Sequence, residues 1–74
     1  MSPKAFNDLV IKAEHEYKGA TLEEIRERLA ELMSIRDRTP QENAEKRALE
    51  IGLNGRNKYG ENYKTTQERL DYQS

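Results

Sequence analysis

The chain has 74 residues, 13 basic and 14 acidic side chains with a net charge of −1, and no cysteine. This length allows a single domain, and the lack of cysteine excludes disulfides, thiolate metal sites and a cysteine nucleophile. The balanced charge is unlike the strongly basic footprint that is typical of nucleic-acid-binding proteins.

The hydrophobic material is too sparse for a membrane helix and thin even for a small core. No apolar run approaches the ~18 residues that a membrane span requires, and no hydrophobic stretch of the signal-peptide kind follows residues 1–4. Because small domains in oxidising compartments usually carry disulfides, we expect a cytoplasmic protein. Leu, Ile, Val and Phe together number 13 of 74 residues. A core this thin favours completion by another protein, either a second copy as in a dimer or a foreign partner.

The first predicted helix covers about residues 3–18. Ser2 is a suitable N-cap and Pro3 suits the first turn. The apolar residues recur at helical spacing and form one amphipathic stripe, namely Phe6, Leu9, Val10, Ala13 and Tyr17. We expect Gly19 to act as the C-cap residue that ends the helix.

The second predicted helix covers about residues 22–38. It begins with Thr21-Leu22-Glu23-Glu24, in which the Thr and the second Glu can each accept a hydrogen bond from the backbone N–H of the other. Its apolar residues are spaced 3, 4 and 3 apart, as in a coiled-coil seam: Leu22, Ile25, Leu29 and Leu32. Such a seam forms either the core of a monomer or a surface for association.

The third predicted helix covers about residues 40–53. It follows Thr39 and begins at Pro40, whose fixed φ suits the first helical position. Ala44 and Ala48 would let another helix approach closely. The dipeptide Asn54-Gly55 is a turn signal, and we expect it to end this helix.

The remaining residues, 56–74, form a less regular segment that Gly60 interrupts. Thr65-x-x-Glu68 is able to start a fourth short helix that ends near Tyr72. With Leu70 as its only aliphatic residue, this segment either packs through its tyrosines or stays mobile.

The predicted fold is therefore all-α, a small three-helix bundle around one core with a short C-terminal segment. We assign residues 1–55 to the helical core and residues 56–74 to a segment of the same single domain. The short links predict that successive helices run antiparallel or turn a sharp corner.

Catalytic and metal-binding patterns are not found in the sequence. His15 is the only histidine, and its neighbours Glu14 and Glu16 point in other directions on a helix, so we interpret it as a surface residue. The acids of the second segment, Glu23, Glu24, Glu27 and Glu31, are interpreted as a solvated helix face. The four glycines do not match a phosphate-binding loop. We expect no enzyme activity, no metal and no cofactor.

The remaining hypothesis is a non-enzymatic protein–protein interaction module, a small accessory protein, inhibitor or regulator that covers the surface of a partner. Tyrosine and arginine most often dominate such contacts. The candidate partner-binding residues are Tyr59, Tyr63, Arg56 and Tyr72, with Leu29 and Met33 if the second helix is exposed. One alternative is a nucleic-acid-binding regulator that uses Arg56–Lys64, where bases alternate with tyrosines. Another alternative is a self-assembling structural subunit.

Overall fold

The protein is all-α in its computed structural model, which describes residues 1–73. This part of the chain forms helices α1 (Pro3–Glu16), α2 (Leu22–Ser34), α3 (Pro40–Tyr59) and α4 (Thr66–Gln73), with a 3₁₀ turn at Gly60–Asn62. The predicted fold class, a small bundle followed by a fourth short helix, is confirmed. Ser74, the last residue of the predicted segment 56–74, lies outside the described residues.

Helix starts are fixed by local side-chain caps, as the sequence predicts. The Thr21 hydroxyl accepts from the Glu24 N–H at 3.1 Å, and the Glu24 carboxylate accepts from the Thr21 N–H at 3.4 Å. The same reciprocal pair joins Thr39 and Glu42 at the start of α3, with distances of 3.1 and 2.9 Å. Each pair satisfies two backbone donors that the first helical turn leaves free.

Helix α1 ends at Glu16, so the predicted end at residue 18 and the C-cap role of Gly19 are wrong. Tyr17 is the C-cap residue, and the only positive φ among residues 1–73 belongs to Gly60. The backbone carbonyls at the end of α1 accept hydrogen bonds from a side chain of another helix instead. The Arg56 guanidinium on α3 donates to the carbonyl oxygens of Tyr17 at 3.0 Å and Lys18 at 2.8 Å, and also to that of Ala20.

Helix α2 ends at Ser34, and the predicted end at residue 38 is wrong because residues 35–39 form the corner before α3. Ile35 leaves the helical conformation at φ −79° and ψ 123°. The Arg38 side chain turns back and donates to the carbonyl oxygens of Leu32 at 3.1 Å and Ile35 at 3.2 Å. Thr39 is extended, as both its N-cap role and the following proline require.

Helix α3 passes through Asn54-Gly55 and continues to Tyr59, so the predicted end at residue 53 is wrong. It also crosses the expected boundary between residues 1–55 and 56–74. Gly60, with φ 58°, ends the helix in the conformation that glycine adopts most readily. Gly55 lies inside the helix because a side chain from later in the chain occupies the space beside it, as described below.

The core consists of two clusters along α3 and not of the single cluster that the sequence predicts. Towards α1 the buried residues are Val10, Ala44 and Ala48, and towards α2 they are Ile25, Leu32 and Leu49. The two alanines of α3 allow α1 to approach closely, whereas its leucine fills the space under α2. Because α3 packs against both α1 and α2, it is the central helix of the fold.

A polar network joins the three longer helices at the edge of the two clusters. The Glu45 carboxylate of α3 accepts hydrogen bonds from the Tyr17 hydroxyl at 2.6 Å and from Arg28 Nε at 2.7 Å and Nη2 at 3.1 Å. These Arg28 bonds hold the pKa of Glu45 below its usual range, while burial and the neighbouring Glu45 raise the pKa of Tyr17. The two-pronged Arg28–Glu45 pair therefore fixes α2 against α3.

Candidate binding groove between α3 and α4

A groove of about 560 Å³ separates one face of α3 from the segment that follows that helix. On the α3 side, lining residues spaced 4, 3 and 4 apart share one helix face: Arg47, Ile51, Asn54 and Lys58. The opposite side comes from residues 62–69 and includes Tyr63, Lys64 and Arg69. We call this concavity the α3–α4 groove.

The position of Tyr63 explains why α3 carries a glycine at position 55. A Cβ atom added to Gly55 would lie 2.3 Å from a ring carbon of Tyr63, far inside van der Waals contact. A Cβ atom on Gly52, one turn earlier, would lie 3.9 Å from the Tyr63 hydroxyl. The aromatic ring thus lies directly against the α3 backbone, which only glycine at position 55 permits.

Beyond the glycines, the Tyr63 side chain reaches a buried carboxylate on α1. Its hydroxyl donates to Glu14 Oε1 at 2.5 Å, and the Thr66 N–H at the start of α4 donates to the same oxygen at 3.0 Å. Glu14 is only 3% exposed, and its Oε2 has no hydrogen-bond partner within residues 1–73. Burial and the Glu14 carboxylate raise the pKa of Tyr63, so the phenol stays protonated and continues to donate.

Helix α4 is held in place mainly at its N-terminal end. Thr65 is buried and forms a reciprocal cap with Glu68, with both backbone bonds at 3.2 Å. Lys18 pairs with Glu68 at 3.2 Å, and the Thr65 N–H and this ammonium keep the pKa of Glu68 below its usual value. These contacts set the position of the second side of the groove.

All the charged side chains that line the groove are cationic. Four cations line it, Arg47, Lys58, Lys64 and Arg69, and no acidic side chain lines it. The ion pairs of the described chain all lie elsewhere, so none of these four cations has a carboxylate oxygen within 4.0 Å. An anionic group that enters the groove therefore meets four cations that have no ion pair among residues 1–73.

Two exposed tyrosines lie beside these cations. Tyr59 is 53% exposed and lines the groove, and the Lys58 ammonium lies 5.4 Å from its ring centroid. Tyr72 is 91% exposed and borders a smaller hollow that shares Lys64 and Arg69 with the groove. Exposed aromatic rings next to cations are the kinds of side chain that contribute most to binding at protein interfaces.

Half of the residues predicted from the sequence for partner binding lie at this surface. Tyr59 and Tyr63 line the groove, and Tyr72 lies next to it. Arg56 does not, because its guanidinium is committed to the end of α1. Leu29 packs against the cluster between α2 and α3, and Met33, 62% exposed, lies on α2 away from the groove.

Sequence reasoning missed Arg47 and Arg69, which supply two of the four cations. A signal for Arg47 exists, since it precedes Ile51 and Lys58 by whole helical turns and therefore shares their face. A helix that ends at residue 53, as the sequence predicts, does not include Lys58, so this shared face is not apparent from the sequence. Arg69 had no comparable signal, because its place depends on how Glu14 and Tyr63 position α4.

The other candidate residues of the sequence lie outside the α3–α4 groove. His15 is exposed, as predicted, and so are Glu23, Glu24, Glu27 and Glu31. Within residues 1–73, no group of three or more His, Cys, Asp or Glu side chains is arranged to hold a metal ion. In the same residues, no helix combines the length and apolarity needed to cross a bilayer.

Comparisons of the chain with protein-family models, curated proteins and solved structures find no match.

Proposed function

We propose that this protein is a non-enzymatic protein-interaction module that acts by covering part of the surface of a larger protein. The observation that carries the proposal is the α3–α4 groove, where four cations without an ion pair among residues 1–73 surround Ile51 and Tyr63, and two exposed tyrosines lie in or next to the groove. Tyrosine and arginine supply most of the binding energy at protein interfaces, because they combine apolar area with directed polar groups.

The proposed mechanism is steric. A partner that occupies the groove covers Ile51 and the outer face of Tyr63, while Tyr59 and Tyr72 pack at the edge of the contact. The bound module then blocks, recruits or regulates the partner without chemistry of its own.

A second candidate function, nucleic-acid binding, is favoured by the same cations and tyrosines. The residues available to contact nucleic acid differ from those of the Arg56–Lys64 stretch. Arg56 and Tyr63 of the Arg56–Lys64 stretch are engaged inside the protein, whereas Arg47 and Arg69 join Lys58 and Lys64. Affinity for single- or double-stranded nucleic acid that falls steeply with added salt would favour this candidate.

Affinity capture from the cells that produce this protein tests the proposal. The baits are the intact protein, the groove variant Tyr59→Ala/Tyr72→Ala, and the control variant Leu22→Ala/Met33→Ala. The control removes two exposed apolar side chains that lie outside the groove. Half of each sample is treated with nuclease, which prevents nucleic acid from bridging bait and prey, and circular dichroism verifies that each bait is folded.

We expect the groove variant to lose proteins that the wild type and the control both recover. Equal recovery by all three baits would show that the groove tyrosines do not contact a partner. Recovery that disappears with nuclease treatment would favour the nucleic-acid candidate.

A further inference from the structure

We infer that the α3–α4 groove binds an extended acidic peptide segment of the partner, in which Asp or Glu residues flank one apolar side chain. This inference rests on the proposed function and names the part of the partner that is recognised. It follows from the charge, the floor and the tyrosine geometry of the groove.

Charge is the first argument. Arg47 and Lys58 lie on the α3 side of the groove, and Lys64 and Arg69 lie on the opposite side, so an extended chain between them meets cations on both flanks. A single exposed ion pair contributes little to binding. Four cations without internal carboxylate partners act together, and carboxylates at several positions along one segment match them.

The floor of the groove is the second argument. It is formed by Ile51 and Tyr63, both only half-buried by the chain itself. Because Gly55 has no side chain, the Tyr63 ring lies directly against the α3 backbone and fills the space at this point. A purely ionic ligand would leave this apolar area in contact with water, whereas one aliphatic or aromatic side chain would cover it.

Tyrosine geometry argues against a nucleic-acid strand as the occupant. Sequence-tolerant binding of single strands uses open aromatic faces on which successive bases stack. One face of the Tyr63 ring lies against Gly55, and the Lys58 ammonium is within cation–π distance of the Tyr59 ring. The Tyr63 ring therefore has only one face left for a base, and the groove does not hold a series of open stacking platforms.

The charge of the remaining surface gives the same result. The net charge of the chain is −1, and the exposed acids of α2 include Glu23, Glu24, Glu27 and Glu31. A long polyanion extends beyond the four groove cations over a chain that carries a net negative charge, whereas a short acidic segment on another protein needs no more than those four cations.

Fluorescence anisotropy with defined probes tests the inference. The first probe is a pool of rhodamine-labelled short peptides in which Asp and Glu flank one Leu or Phe. The second pool replaces every Asp by Asn and every Glu by Gln, and the third probe is an oligothymidylate of matched charge. The proteins are the intact wild type, the groove variant Arg47→Ala/Lys64→Ala, and the control variant Arg26→Ala/Arg36→Ala.

The two variants remove the same charge from exposed positions, and only the first changes the groove. We expect the wild type and the control variant to bind the acidic pool, with affinity that falls as salt is added. We expect roughly tenfold weaker binding of the amide pool, and a similar loss for the groove variant.

Equal binding of the acidic and amide pools, or equal binding by the groove variant, would overturn the inference. Tighter binding of the oligothymidylate would overturn it in favour of nucleic acid. Sedimentation of the protein alone tests whether a second copy of the chain occupies the groove. A wild-type dimer that is lost in Arg47→Ala/Lys64→Ala would assign the groove to that second copy and overturn the inference.

The capture experiment separates this inference from the proposed function. If Tyr59→Ala/Tyr72→Ala loses captured proteins while the acidic pool fails to bind, the groove binds proteins but not through acidic segments. If the acidic pool binds and capture is unchanged, the groove recognises acidic peptides but does not mediate the proposed partner contact.

Discussion

The Tyr63 hydroxyl donates a 2.5 Å hydrogen bond to Oε1 of Glu14, a residue 49 positions earlier in the chain. This bond fastens the C-terminal segment to α1 and thereby creates the second side of the α3–α4 groove. Glu14 is the only charged residue buried within residues 1–73, and the C-terminal segment contacts it through Tyr63 and Thr66.

Replacement of Tyr63 by Phe tests the importance of this bond. The variant keeps the ring over Gly55 and leaves Glu14 Oε1 with the Thr66 N–H as its remaining donor. Because a buried carboxylate that loses a partner is destabilised, we expect the free energy of unfolding to fall by about 1–3 kcal/mol. Urea unfolding followed by circular dichroism measures the change. Tyr72→Phe, at an exposed position, is the control, and equal stability of the two variants would contradict the proposed role of Glu14.

Gly55→Ala is expected to destabilise the protein although alanine is the better helix former. In an open helix this change stabilises by about 1 kcal/mol, but here the added Cβ would lie 2.3 Å from the Tyr63 ring. The same substitution in a Tyr63→Ala background meets no ring and should stabilise. A double-mutant cycle of urea unfolding measures this reversal of sign. Asn54→Ala, at the neighbouring exposed position, controls for helix propensity, and a more stable Gly55→Ala single variant would refute the packing argument.

The Glu45 network makes stability depend on pH in a defined direction. The pKa of Glu45 is lowered in the folded protein by its bonds to Arg28, so the contribution of Glu45 is complete above its ordinary pKa. That contribution is lost as the pH falls through the lowered value. We expect Glu45→Gln to be less stable than the wild type near neutral pH and to lose less stability on acidification. Unfolding at about pH 7 and about pH 3 measures both effects.

Glu31→Gln is the control for this experiment. Glu31 also accepts a hydrogen bond from Arg28, at 3.0 Å, but it is exposed and leaves the Arg28–Glu45 pair intact. Its variant should retain the pH dependence of the wild type. Identical pH profiles for Glu45→Gln and the wild type would show that this network does not govern acid stability.

Arg56 and Lys58 lie two positions apart on α3, and we expect the first to contribute to stability and the second to binding. Arg56→Ala removes the donors at the end of α1 and should lower the free energy of unfolding by about 1–3 kcal/mol. Lys58→Ala, at an exposed groove position, should change stability by less than about 0.5 kcal/mol but weaken binding of the acidic peptide pool. Urea unfolding and anisotropy together measure the contrast. Binding loss in folded Arg56→Ala with full binding by Lys58→Ala would reverse this assignment.

Helix starts could be predicted from the sequence because their determinants are local. Thr21 with Glu24 and Thr39 with Glu42 lie within one turn of the backbone groups that they cap. Helix ends could not be predicted, because they depend on side-chain contacts that form only in the folded chain. Arg56 caps α1 from α3, Arg38 turns back onto the end of α2, and Tyr63 fills the space beside Gly55.

The tyrosines of the candidate site could be predicted from the sequence, but its cations could be predicted only in part. Tyr59, Tyr63 and Tyr72 were identified as an aromatic set, and the structure places them in or beside one groove. The cations were only partly identified, since Arg56 is turned inward and Arg47 lies in a part of α3 to which no binding role was assigned. Which charges face the groove is decided by the position of α4, and this position is a tertiary property.

Helix α4 contributes no buried side chain, and its attachments cluster around Thr65, Thr66 and Glu68. A helix anchored at one end opens at the other with little free energy, so its last amides should exchange with deuterated water sooner than those of α3. The α3–α4 groove is lined only as far as Arg69, at the anchored end of α4, so fraying of the last turn leaves both of its walls in place. The same fraying moves Tyr72, which lies in that last turn, relative to the groove.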